Sequence, residues 1–362
     1  MYKKYYTFST LFLAMILVLT AQEEDSIAKR KIGVLPVPTF GFEPETRWYG
    51  GAVALFTFNV FDSARTSNAD IEFSYTQNKQ LIFDFQWDVF TSNEQFLLNG
   101  IFEYSKYPDL FYGIGNDTKL MYVEPYDSKR TRFQSLVAVK ISPGTYAGLD
   151  LVYEQMYDID YSDTILFNSN LFGREGSQFF GLGLALIKDY RDNLLNTQKG
   201  VYIKLSGVLF NQLSQSNLPS RFVRFELDAR SFTPLFQKHV LAAQFYSMVN
   251  MGTPPFNMLA LLGSDSHMRG YYKGRYRDLR MVTTQLEYRV PLFWRIGVAA
   301  FGGLGNVKGL QLGSSWFDGI KPTFGGGIRF LMDKQENVNL RLDMAWGVKG
   351  AQGFYVAFGE AF

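Results

Sequence analysis

Cysteine is absent from the 362-residue chain, which excludes both a disulfide framework and a lipid-modified cysteine anchor. Histidine is nearly as rare, at 2 residues, leaving little for imidazole-based catalysis or metal binding. Charged residues make up only 19% and almost cancel, at a net +2, and no basic block of the kind that engages nucleic acid appears. Beyond the first 21 residues no apolar stretch reaches the ~20 residues that a membrane-spanning helix needs. A helical membrane protein is therefore excluded, as are phosphate-loop and dinucleotide fingerprints, whose glycine spacings do not occur.

The one long apolar run stands at the start. Lys3 and Lys4 precede LFLAMILVL, Leu11 to Leu19, and the small residue Ala21 is followed by acidic Glu23, Glu24 and Asp25. This pattern reads as a secretory signal cut after Ala21, because the run is about half the length of a ~20-residue span. What is abundant in the rest is aromatic: 34 Phe and 22 Tyr, with 33 Gly. Aromatic girdles combined with an apolar face hidden by alternation are the signature of a transmembrane β-barrel.

Alternation recurs along the chain with period two. In LIFDFQWDV, Leu81, Phe83, Phe85, Trp87 and Val89 share one face, and Asp84, Gln86 and Asp88 the other. TTQLEYRV places Thr284, Leu286, Tyr288 and Val290 toward lipid and Gln285, Glu287 and Arg289 inward. NLRLDMAW sets Leu340, Leu342, Met344 and Trp346 against Arg341, Asp343 and Ala345, and FVRFELDAR sets Val223, Phe225, Leu227 and Ala229 against Arg224, Glu226, Asp228 and Arg230. A soluble sandwich also alternates, but its wet face is outside; here the polar face carries mixed ion pairs and the apolar face is dense in large aromatics.

Strands are expected near 32–42, 47–60, 69–77, 80–90, 95–106, 130–141, 144–157, 177–190, 200–211, 219–232, 238–251, 281–290, 294–305, 322–331, 338–347 and 353–362, sixteen in all. The fold class is thus all-β, a 16-stranded antiparallel transmembrane barrel. Long connections follow odd strands, at 107–129, 158–176, 252–280 and 306–321, and mostly short turns follow even ones, which puts both ends of the barrel chain in the periplasm. The expected organisation is a signal peptide at 1–21, a short periplasmic linker at 22–31, and an outer-membrane barrel at 32–362, with no length left for a separate domain.

The connection LLGSDSHMRGYYKGRYRD, residues 261–278, carries Arg269, Gly270 and Tyr271. It resembles the arginine-glycine-aromatic motif on the lumen loop of the BamA/TamA family of Gram-negative outer-membrane barrels, the bacterial surface antigen superfamily. Further similar stretches are PVPTFGFEPETRWYGG at 36–51, RDNLLNTQKGVYIKLS at 191–206, EYRVPLFWRIGVAAFGGLGNV at 287–307, GGGIRFLMDKQENVNLRLDMAWG at 325–347 and GFYVAFGEAF at 353–362. The resemblance implies a loop pinned inside the barrel by its arginine. Gly270 would let the backbone approach the wall, and Tyr271 would pack with its hydroxyl bonded. Family members commonly place the arginine's aspartate on the thirteenth strand, where this chain has Gly303. An unpaired buried guanidinium is costly, so the partner is expected at Asp343 or Glu287, with Asp343 preferred.

At the end of the chain, Phe354, Val356, Phe358 and Phe362 fall at period two and resemble the signal that outer-membrane barrels present to the cell's own barrel-assembly machinery; an apolar edge strand is a ready template for strand addition. Glu360 is then expected on the outward face near the periplasmic interface. Catalysis is not expected. His239 lies in a turn, and Ser264, Asp265, Ser266 and His267 stand too close together on one loop to take up triad geometry readily. The resemblance implies assembly of outer-membrane proteins or translocation of polypeptides, in contact with outer-membrane lipid and with a client polypeptide or a separate periplasmic partner, and without cofactor. A plugged pore for small solutes or ions, and a structural or docking barrel, are the alternatives.

Overall fold

Phe, Tyr, Val, Ile and Leu at every second position favour extended chain, because their bulk packs well on a pleated surface. The computed structural model describes residues 32–43, 47–59, 64–77, 79–119, 122–162, 165–213, 220–236, 238–309 and 315–362. The expected signal peptide and linker lie outside these. The strands of the wall are β1 (Ile32–Glu43), β2 (Arg47–Phe58), β3 (Ser67–Thr76), β4 (Leu81–Phe90), β5 (Phe96–Phe111), β6 (Glu124–Ser142), β7 (Thr145–Tyr161) and β8 (Ser177–Asp189). They continue with β9 (Gly200–Gln212), β10 (Arg221–Leu235) and β11 (His239–Gly252). After a two-stranded ribbon, β12 (Ala260–Leu262) with β13 (Tyr276–Asp278), come β14 (Arg280–Phe293), β15 (Ile296–Lys308), β16 (Lys321–Asp333), β17 (Val338–Gly347) and β18 (Gln352–Phe358).

The wall is one 16-stranded antiparallel sheet in which neighbours in sequence are neighbours in space, β11 pairing with β14 across the ribbon. Much of the outward apolar face lies where alternation puts it, though Leu340, on the face read as lipid-facing, is buried in the seam cluster. Val137, Val139, Leu149, Leu182, Leu184, Leu205 and Leu286 are exposed on the outside, while Leu136, Ala138, Val152 and Asp150 are buried inside. The sheet curls back on itself: Leu35 and Leu55 from its first strands pack with Met332, Val338 and Leu340 from its last, with Phe358 of β18 against them. Among the described residues no ladder pairs β1 with β18, and the apolar cluster links the two ends of the sheet.

We call the rim where β1 begins and β18 ends the lower rim and the opposite one the upper rim. At the upper rim β5 and β6 run beyond the expected 106 and 130 as a tall hairpin, Phe111 opposite Glu124. That extension is capped by rings: Phe111, Tyr126, Phe167 and Phe256 pack with centroids 5.0–5.6 Å apart. The guanidinium of Arg277 lies 5.1 Å from the centre of the Phe111 ring. The strand expected at 353–362 stops at Phe358, because Gly359, with φ +73°, turns the chain inward.

Candidate functional site in the lumen

The chain between β11 and β14 leaves the upper rim, forms the β12–β13 ribbon, and folds into the lumen. Ala260, Leu262, Met268, Tyr271 and Tyr276 pack against Tyr246, Met281 and Val307 of the wall, which supplies the burial that holds a loop in a polar channel. Polar contacts then set its register. Tyr272 donates to Asp109 of β5 at 2.6 Å, Arg275 donates to the Thr118 carbonyl at 3.0 Å, and the Gln285 amide of β14 donates to the Ser266 carbonyl at 2.5 Å.

Arg269 lies at the tip of this loop, 0% exposed. Its two terminal nitrogens reach different strands, Nη1 to Asp343 on β17 and Nη2 to Glu287 on β14, each at 2.5 Å. The sequence left a choice between those two carboxylates, and the structure uses both. Its guanidinium also stacks on Phe301 of β15, 3.5 Å from the ring centre. Gly303, two residues farther along that strand, has no room for a carboxylate, since a Cβ there would stand 2.8 Å from the Thr284 carbonyl. Gly270 has φ +101° and donates its N–H to the Tyr355 hydroxyl of β18 at 2.8 Å. Tyr271 donates to the Pro322 carbonyl at 2.6 Å and accepts from the Val348 N–H at 3.0 Å, and Thr323 donates to the Arg269 carbonyl.

The carboxylates are shared further. Asp343 also binds Arg329 at 2.5 Å and Arg341 at 3.3 Å, while Glu287 binds Arg289 at 2.7 Å and faces Arg329 at 3.5 Å. Arg341 reaches back to Asp265 on the loop at 2.8 Å. Alternation alone marked Arg289 and Arg341 as inward-facing, but not as members of one network. Arg329, Phe301 and Tyr355 were missed, although each falls on an inward position of its strand. The constellation is electrostatic rather than nucleophilic: His267 Nδ1 meets Ser266 at 3.1 Å, its Nε2 faces Gln244 at 3.3 Å, and the nearby Asp265 carboxylate is taken by Arg341, so no Ser-His-Asp relay forms on this loop. Burial, with Arg230 nearby, lowers the His267 pKa and favours the neutral ring.

The end of the chain departs from expectation. Phe354 is 61% exposed on the outer face and Val356 shares it, whereas Phe358 packs at the seam. Phe362 is not on that face: it is buried within the barrel against Phe232, Val240 and Ala242, and its carbonyl accepts from Arg289 at 3.0 Å. Glu360 is likewise turned in, binding Arg329 at 2.7 Å and Asn339 at 2.8 Å. The outward placement expected for Glu360 is thus corrected. A carboxylate facing lipid is costly, while inward it completes an arginine cluster.

This geometry, a sixteen-stranded wall with an arginine-bearing loop fixed inside it, can be set beside known proteins. The family description "Omp85 superfamily domain" matches residues 54–362. The chain belongs to the Omp85 superfamily. No curated protein matches it. Among solved structures, BamA from Haemophilus ducreyi lacking POTRA domains 1–3 is similar over 91% of this chain and 69% of that one, at 12% identity and a TM-score of 0.55. CdiB from Acinetobacter baumannii is similar over 91% of this chain, at 12% identity and a TM-score of 0.50. This chain spans 58% of the CdiB chain. At that identity the likeness is one of fold. Omp85 membership nonetheless makes this an outer-membrane barrel of the assembly and translocation class.

Proposed function

We propose that this Omp85 barrel inserts or translocates other polypeptides, acting at the seam between β1 and β18 with the lumen loop as its plug. One observation carries the reading: among the described residues no ladder joins the first and last strands of the sixteen-stranded sheet, and an apolar cluster at the lower rim packs side chains from its two ends together. Apolar contacts are non-directional and can repack during opening, whereas a full ladder would have to break bond by bond. Pro36 and Pro38 each remove an N–H donor from β1, which suits an edge strand. An open edge accepts an incoming strand by backbone pairing, so an extended client segment is the partner this seam fits.

In this reading the lower rim faces the periplasm, where a client or a separate periplasmic partner would approach. The outward residues Phe354 and Val356, followed by Phe358, would serve the barrel's own assembly signal, and Phe362 would fold inward only once insertion is complete. The solute-pore reading has less support, since the lumen loop is packed and hydrogen-bonded against the wall and the segment 190–199 bonds to the β16–β17 turn at the lower rim. Depleting the protein in its native host and quantifying the outer-membrane proteome tests the proposal, together with a pull-down from the native membrane. Loss of other barrels or of secreted polypeptides, with the affected chains co-purifying, is the expected result. An unchanged proteome would sink it.

A further inference from the structure

Most described connections between wall strands at the lower rim are short turns, and one is built differently. Between β8 and β9, residues 190–199 read YRDNLLNTQK, and they do not simply reverse the chain. Leu194 packs with Leu97, Leu136, Tyr146 and Ile187, on the β4–β9 side of the barrel. Its neighbour Leu195 packs with Leu35, Leu55, Val338 and Leu340, on the seam side. Adjacent side chains thus anchor one short segment to opposite parts of the wall, so the segment must lie across the mouth.

Its polar contacts span the same distance. Asn193 donates to the Glu336 carbonyl in the β16–β17 turn at 3.1 Å, Arg289 of β14 donates to the Thr197 carbonyl at 3.2 Å, and the Glu360 N–H donates to the Leu195 carbonyl at 2.9 Å. The segment is braced from within: the Asn193 side chain accepts the N–H groups of Leu195 and Asn196, and the Asp192 side chain accepts those of Gln198 and Lys199. Phe362 and Ala361 fill the space beside it against β10 and β11.

We propose that residues 190–199 are a gate across the lower mouth, latched to the seam through Leu195, so that the lumen opens at this rim when the end strands part. The gate is separate from the plug loop, which enters from the opposite rim, yet the two are linked through the wall: Arg289 donates to the Thr197 carbonyl of the gate and pairs with Glu287, the carboxylate that also holds Arg269. The proposal concerns access to the lumen and does not depend on what the barrel inserts or translocates.

The test uses the full chain, folded in detergent and in planar bilayers. Because the protein has no cysteine, Ser206→Cys on the buried inner face of β9 introduces a single reporter for a membrane-impermeant maleimide. Leu195→Ala, and separately replacement of residues 193–197 by a Gly-Ser segment, should raise labelling by roughly tenfold and increase single-channel conductance, since access to a covered site follows the population of its open form. Leu35→Ala, a change in the seam cluster against which Leu195 packs, should raise labelling in the same direction. Folding of each variant is read from heat-modifiable migration, and Leu195→Met serves as the conservative variant should the larger changes fail to fold, with wild-type closure expected. Unchanged labelling and conductance in folded Leu195→Ala would overturn the gate. A response to Leu195→Ala without one to Leu35→Ala would overturn the latch.

Discussion

Arg269 illustrates how a single side chain gains meaning from its surroundings. A guanidinium shared by Glu287 and Asp343 and stacked on Phe301 has its charge compensated on two edges and one face. Arg269→Ala removes the cation that Glu287 and Asp343 share while Arg289, Arg329 and Arg341 still hold them, so the loss is that of buried charge-assisted hydrogen bonds, roughly 2–3 kcal/mol. Equilibrium unfolding in denaturant measures it, and a midpoint indistinguishable from wild type would show that the pair is not buried as described. Asp343→Asn should cost more than Glu360→Gln in the same assay. Asp343 compensates Arg269, Arg329 and Arg341, whereas Glu360 shares Arg329 with other acids. The sequence located the arginine and both carboxylates. It could not decide between them, because period two says only that a residue faces inward, not how far across the lumen its neighbours stand.

At the scale of elements, the lumen loop is a docked hairpin rather than a free strand of chain. Tyr271 fits against the wall where Gly347 leaves space, and a Cβ at that glycine would stand 2.5 Å from the tyrosine ring. Gly347→Ala should therefore expel Tyr271, break its bonds to Pro322 and Val348, and expose the loop to protease in the folded barrel. A cleavage pattern matching wild type would contradict this docking. Strand positions were legible from alternation to within a few residues over most of the wall. The misplacements have particular causes: the β5–β6 hairpin is extended by aromatic packing above the lipid face, and β18 ends at Phe358 because Gly359 turns and Glu360 finds arginines inside.

For the whole molecule, different devices pack at the two ends of the barrel. Aromatic rings and the plug loop pack toward the upper rim, and residues 190–199 with 359–362 at the lower one, where we propose the gate. Two closures in series dictate a specific conductance pattern. Deleting residues 261–278 alone should raise single-channel conductance less than combining that deletion with an opened 190–199 segment, because the remaining closure still limits flow. Planar-bilayer recordings decide the matter, and equal conductance in the single and combined variants would show that only one closure exists. The unpaired seam belongs to this scale as well, since it is a relation between the first and last strands of the sheet.

The amino-acid sequence by itself determined that the chain is an all-β membrane barrel with an arginine-bearing loop. Side-chain periodicity is a local property, and lipid outside with water inside imposes it on every strand. Only the tertiary structure decided which carboxylates meet Arg269, that Phe362 turns inward, that no ladder joins β1 and β18 among the described residues, and that the turn 190–199 bonds across to the β16–β17 turn. Each of these is set by closure of the sheet, which brings residues more than a hundred positions apart, such as Asn193 and Glu336, to within 3.1 Å. Leu195 shows the distinction plainly: its sequence context is a polar turn, and its role follows from the strands that closure places opposite it.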